Sequence, residues 1–188
     1  MGLSVQRVGC DASPRRAKRW TPSARYARWA LAVSAFAVLI TACGINPQGT
    51  HTIVGTSTHG TVADLSADDN LYYTTGASCT GAFAGCKTDW YGIFNVGQGN
   101  IPDLRVKYIG KNAGAGWQFI SVWNWATMSW LGVDAFRVVA GNEVTVEKAL
   151  PPSGDFLTSK GIGFVRVTTV GNMTSSSADV LLGCTEFC

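Results

Sequence analysis

The chain has 188 residues, 15 Lys/Arg, 12 Asp/Glu and a formal net charge of +3. That length accommodates one domain and an appendage. Seven of the fifteen basic residues precede residue 43, with Asp11 the one acid among them; beyond Cys43, eight Lys/Arg face eleven Asp/Glu, a net of −3. The electrostatic warrant for binding nucleic acid disappears with that split.

The first 42 residues read as an export signal. Arg7, Arg15, Arg16, Lys18, Arg19, Arg25 and Arg28 form a basic region, and the apolar run from Trp29 to Thr41 follows. Thirteen residues are too few for a free membrane span, which needs about 20, but they suit the apolar core of a signal peptide. The run ends in Ile40-Thr41-Ala42-Cys43-Gly44. This resembles the bacterial lipobox, an aliphatic residue and two small ones before a cysteine. The resemblance implies lipidation at Cys43, which becomes the mature N-terminus, and an exported protein held by its lipid on the extracellular face of the membrane. Ordinary cleavage near Ala42, leaving Cys43 as a spare thiol, is the alternative. Arg15-Arg16 lacks the apolar neighbours of a twin-arginine signal.

Residues 43–53 are polar and include Pro47, and are expected to tether the lipid to a domain at 54–188. From Val54 onward, short β-type segments alternate with Gly, Asn and Asp. The segments are 59–65, 70–75, 88–96, 103–112, 116–125, 129–139, 142–150, 163–170 and 178–184, with one helical turn at 154–159. Alternation is clear in several of them. Leu104, Val106 and Tyr108 oppose Arg105 and Lys107, Phe164 and Arg166 oppose Val165 and Val167, and Val144 and Val146 oppose Thr145 and Glu147. A sheet with one apolar face must cover it, so two packed sheets are expected. The fold class is all-β, a jelly-roll sandwich of about eight to nine antiparallel strands behind a signal-peptide helix.

Four cysteines remain after Cys10 leaves with the leader and Cys43 is taken by the lipid: Cys79, Cys86, Cys184 and Cys188. In an oxidising compartment an even set reads as disulfides. Three pairings are open; Cys79–Cys86 and Cys184–Cys188 each close a short loop. The Cys79/Cys86 spacing is too wide for a zinc knuckle.

The stretch 121–130, SVWNWATMSW, holds Trp123, Trp125 and Trp130. Extended alternation puts Trp123 and Trp125 on one face with Phe119 and Ser121, and Ile120 and Val122 on the other. After the turn, Trp130, Gly132 and Asp134 oppose Leu131 and Val133. The aliphatic side, Ile120, Val122, Leu131 and Val133, is the natural inner layer. The indoles then either form an exposed apolar patch of the kind that marks binding sites, or pack under the N-terminal segment or against Tyr72 and Tyr73 as a second core.

The segments GTVADLSADDNLYYTT, TDWYGIF, DLRVKYIGKN, ISVWNWATMSWLGVDAF, EVTVEKALPPSGDFL, GFVRVTT and SADVLLGC occur in that order. Together they resemble the galactose-binding-like β-sandwich accessory module of secreted bacterial proteins. The WNW hairpin and the ADDN-x-YY opening carry the likeness, which extends over roughly residues 55 to 184. The resemblance implies a non-catalytic module for polysaccharide or cell-wall glycan, with Trp123, Trp125, Trp130, Tyr72 and Tyr73 as ligand-binding residues. It also implies a structural calcium at Asp68, Asp69 and Asn70, hard oxygen donors suited to that ion; an Asx-type turn into the following strand is the plain alternative. No other cofactor is expected. This chain departs from the family in having no enzyme attached and in reading Val165-Arg166-Val167-Thr168, without a second arginine.

Catalytic patterns are missing from the sequence. His51 and His59 stand in no metal spacing, and no G-x-S-x-G elbow or P-loop occurs. Asp89, Asp134 and Glu143 are each read beside a turn or strand end, where capping explains a carboxylate. A surface-anchored binding module is therefore expected, not an enzyme, with a structural or protein-interaction envelope lipoprotein as the alternative.

Overall fold

The computed structural model describes residues 47–65, 70–80, 85–98, 101, 103–151 and 154–184. The leader, Cys43, Asp68, Asp69 and Cys188 lie outside the described residues. Nine strands follow in chain order: β1 Pro47–Val54, β2 Thr56–His59, β3 Tyr73–Gly76, β4 Ser78–Cys79, β5 Cys86–Asn95, β6 Leu104–Asn124, β7 Ser129–Val138, β8 Val144–Ala149 and β9 Ile162–Cys184. Every pairing is antiparallel.

The two long strands build the architecture. β6 and β9 run side by side for almost their whole length, broken by a register shift between Asn112 and Gly114. On one side of that shift, β1, β5, the first half of β9, the second half of β6 and β7 form a five-stranded layer. On the other side, β2, β3, the second half of β9, the first half of β6 and β8 form another. The nine-stranded sheet is thus folded over on itself as a β-sandwich. Gly114 makes the fold possible: its φ is +135°, and a Cβ there would lie 2.1 Å from the Asn172 carbonyl oxygen. Bulges and glycines are the usual means of turning a strand from one sheet to the next.

The core lies between the layers and follows the alternation expected of each strand. Trp90 and Phe94 from β5, Val165 and Val167 from β9, and Ile120 and Val122 from β6 meet Tyr73, Val106, Tyr108, Val180 and Leu182 from the opposite layer. Near the fold line the interior turns polar: Gln118 accepts from Thr169 Oγ1 at 2.8 Å and Tyr108 Oη at 3.3 Å, and donates to the Thr168 carbonyl at 3.2 Å. The Tyr108 hydroxyl is pushed well above its ordinary pKa, first by burial and then by the Asp179 charge.

Several elements differ from expectation. Pro47–Ile53, expected as tether, belongs to β1, hydrogen-bonded along β5. Val62–Leu65 is a 3₁₀ turn and not strand, with Leu65 inserted in the core. The segments 103–112 and 116–125 are one strand, as are 163–170 and 178–184, because the chain bends at Gly114 and opposite it at Gly171–Met173 with only a register shift in the β6–β9 ladder and stays extended beyond it. A bulge between Gly132 and Asp134 reverses the facing of the residues after it: Asp134 pairs with Ile120, and its carboxylate reaches Lys148 at 3.5 Å on β8. Ile120 and Val122 are inner-layer residues as expected, and Val133 is half-buried against the core, but Leu131 is exposed, since β7 is an edge strand.

Candidate functional site

Alternation sends every second side chain of the first layer away from the core, and on this outward face the pairing aligns residues in rows. One row holds His51, Tyr91, Arg166, Ser121 and Gly132. On one side of it stand Ile93 paired with Phe164, and Trp123 paired with Trp130. On the other side come Asp89, Thr168, Phe119 and Ala135, then Lys87, Val170, Trp117 and Arg137. Alternate residues are about 6.7 Å apart along a strand, so the four rows span about 20 Å.

The hairpin tryptophans anchor one end. Trp123 sits edge-on between Trp130, 5.2 Å away between ring centroids, and Trp125 at 6.2 Å. Trp125, the first residue of the hairpin turn, packs on Phe164 at 5.2 Å, and its backbone N–H donates to the Asp155 carbonyl at 2.7 Å. Tyr91 closes the ring at 5.5 Å from Phe164 and 5.9 Å from Trp130, with His51 5.1 Å behind it. Tyr91, Trp123, Trp130 and Phe164 line an open depression of about 180 Å³. The indole nitrogens of Trp123 and Trp125 are buried without a hydrogen-bond partner, so these rings offer the face carbon and not polar atoms. A second depression, about 320 Å³, continues at the bulge, where Phe119, Ser121, Gly132, Asp134 and Ala135 are among its lining residues. A Cβ on Gly132 would meet nothing within 4 Å. Beyond it, Phe119 is 40% and Trp117 53% exposed.

A charged cluster crosses the middle of this face. Asp89, buried in the interior of β5, accepts from Arg166 Nε at 2.7 Å and Nη2 at 2.6 Å, from Thr168 Oγ1 at 3.1 Å and from Lys87 Nζ at 2.9 Å. Burial pushes the Asp89 carboxyl up, but the hydrogen bonds and charges of Arg166 and Lys87 outweigh it and hold the group below the usual carboxylate range. The same bond to Asp89 raises Arg166. The Arg166 guanidinium also lies 5.4 Å from the Trp130 ring centroid, within cation–π range. Asp89 is a mid-strand carboxylate and not a strand-end cap; Lys87 is two residues from it, but Arg166 and Thr168 are 77 and 79 residues away. Nothing local in the sequence marks the pairing with Arg166 and Thr168. Thr168, where the family resemblance leads one to expect a second arginine, donates to the same carboxylate.

The structure brings Trp123, Trp125 and Trp130 together but does not bring Tyr72 and Tyr73 to them. Tyr73 is a buried core residue on Trp90, with ring centroids 4.8 Å apart. Tyr72 is buried too, donates to Glu143, and lies 4.6 Å beneath the Lys111 ammonium. The second core imagined between these tyrosines and the tryptophans is absent among the described residues; Phe164 and Tyr91, which sequence reasoning did not select, take that place. Of the calcium candidates, Asp68 and Asp69 lie outside the described residues. Asn70 is exposed with φ +64°, a left-handed conformation asparagine tolerates in turns. Among the described residues no cluster of three His, Cys, Asp or Glu is placed to hold a metal. Cys79 and Cys86 form a disulfide across the β4–β5 pairing. Cys184 is disulfide-bonded, and Cys188, its expected partner, lies outside the described residues.

No protein-family model and no curated protein matches the chain. Solved structures of similar fold exist at low identity. A CBM61 module in complex with β-1,4-galactotriose gives a TM-score of 0.45 at 8% identity, over 72% of this chain and 87% of that one. The K1 cleaved adhesin domain of Lys-gingipain from Porphyromonas gingivalis gives 0.46 at 12%, over 78% and 96%. The CBM22-1–GH10 modules of a Clostridium thermocellum endo-1,4-β-D-xylanase, complexed with xylohexaose, give 0.43 at 12%, over 78% of this chain and 27% of that one.

Proposed function

We propose that the protein is a non-catalytic carbohydrate-binding module that holds polysaccharide along the outward face of the first layer, and that it is exported and tethered to the cell surface by lipid at Cys43. The observation that carries the binding reading is the open depression lined by Tyr91, Trp123, Trp130 and Phe164, with Arg166 beside it. Ring faces of sugars are apolar and their rims polar, and exposed aromatic rings flanked by a few polar groups match both. A row of such positions extending toward Trp117 suits a polymer better than a small molecule. The carboxylate pair that glycoside hydrolysis normally requires has no counterpart on this face, where Asp89 is already fully engaged by cations.

Affinity electrophoresis of the full-length chain through gels containing polysaccharides tests the reading. Retardation is expected, and Trp130→Ala should abolish it while the far-UV spectrum is unchanged. Trp130 sits on an edge strand and is half-exposed, so the fold tolerates its loss. Wild-type mobility unaffected by any glycan, or a Trp130→Ala variant retarded like wild type, overturns the assignment. The lipid anchor is tested separately by labelling with a fatty-acid probe, which Cys43→Ser should eliminate.

A further inference from the structure

The polar equipment of the aromatic face is unbalanced. Among the charged residues of the five strands, Lys87, Arg137 and Arg166 face outward with Asp89 the single acid; Asp134 turns to Lys148 of the opposite layer. The chain beyond Cys43 carries a net −3, so a face with three cations and one acid is the reverse of its surroundings. Asp155 lies in the 3₁₀ turn beside Trp125, at the far end from Lys87 and Arg137.

Acceptor capacity is also spent. A carboxylate offers about four lone-pair sites, and Asp89 receives four hydrogen bonds from Arg166, Thr168 and Lys87. Arg166 uses two of its five N–H donors there, and Lys87, 40% exposed, uses one of three. Arg137 is exposed and has no ion-pair partner among the described residues. The face therefore offers spare charged donors, while Asp89 has no acceptor capacity left and Asp134, at the edge of the second depression, is engaged by Lys148 and by the Ala135 N–H. Neutral sugars present hydroxyls that donate as readily as they accept, whereas carboxylate and sulfate groups only accept.

We propose that the polymer bound on this face is an acidic polysaccharide, bearing carboxylate or sulfate groups. Its sugar rings lie on Trp130, Tyr91 and Phe119, and its anionic groups meet Arg166 in the centre and Lys87 and Arg137 on either side of Trp117. This inference rests on the carbohydrate-binding reading and specifies its substrate class.

Matched polymers separate the two. The full-length chain is titrated with polygalacturonate, alginate, hyaluronate and chondroitin sulfate, each beside its carboxyl-reduced or desulfated counterpart, at about 0.05 and 0.5 M salt. At least one acidic polymer should bind about tenfold more tightly than its neutralised form at low salt, and lose most of that advantage at high salt. Replacing both outer cations (K87Q/R137Q) should reduce the preference about tenfold, as two exposed ion pairs allow. Tighter or equal binding of the neutralised polymers, indifferent to salt, overturns the acidic assignment and leaves the carbohydrate reading intact. No retention of either form, by protein shown to be folded, overturns both.

Discussion

Asp89→Asn tests the electrostatic core of the candidate site. The substitution preserves shape but removes the charge that holds Arg166 and Lys87, and it turns an amide N–H₂ toward donors. Breaking a buried ion pair by removing one partner costs about 3–5 kcal/mol. Here the Arg166 side chain is 25% and the Lys87 side chain 40% exposed, so both cations recover water and the cost falls below that range, to about 2–3 kcal/mol at pH 7. The pH dependence gives the result its signature. The folded-state pKa of Asp89 is depressed relative to an unfolded value of about 3.9. Its stabilisation is complete above that unfolded value and is lost as pH falls through the lower folded pKa. Urea unfolding of wild type and variant should show a constant gap between about pH 7 and 5, narrowing toward about pH 2. A gap below about 0.5 kcal/mol at pH 7, or one that persists undiminished in acid, refutes this account of the cluster.

Gly114→Ala places a methyl group against the Asn172 carbonyl at a φ of +135°; chemical denaturation should show a loss of about 3 kcal/mol or failure to fold, whereas the matched control Gly132→Ala, facing open space, should change stability by under 1 kcal/mol. Removing the Cys79–Cys86 disulfide as a serine pair should cost about 2 kcal/mol, since it closes a short loop, and non-reducing peptide mapping should lose the corresponding linked peptide. Trp125→Phe deletes a buried indole N–H that has no partner, so its stability should stay within about 1 kcal/mol of wild type, while Trp125→Ala, which empties the contact with Phe164, should lose about 2–3 kcal/mol by thermal melting.

Period-two alternation made the faces of individual strands readable: Val106 and Tyr108 against Lys107, Val165 and Val167 against Arg166, and Ile120 and Val122 against Trp123 all stand as the sequence implies. Alternation is a local property and survives without knowledge of the partner strand. Three things were not local. The bulge after Gly132 inserts one residue, and one residue suffices to carry Asp134 from the indole face to Lys148. The glycines of 113–116 and of Gly171 signal a turn by composition, yet here they bend two strands that continue into the second layer. Register between β5 and β9 is the third. Sliding β9 by two residues along β5 would keep every side chain on its own face but would set Asp89 opposite Arg166 or Val170 instead of Thr168. The bidentate geometry and the full engagement of the Asp89 carboxylate depend on that register, whereas the excess of cations on the face follows from alternation and would survive the slide. Alternation thus places the cations and the rings on one face, while long-range register decides which of those cations the Asp89 carboxylate neutralises and which keep donors to spare.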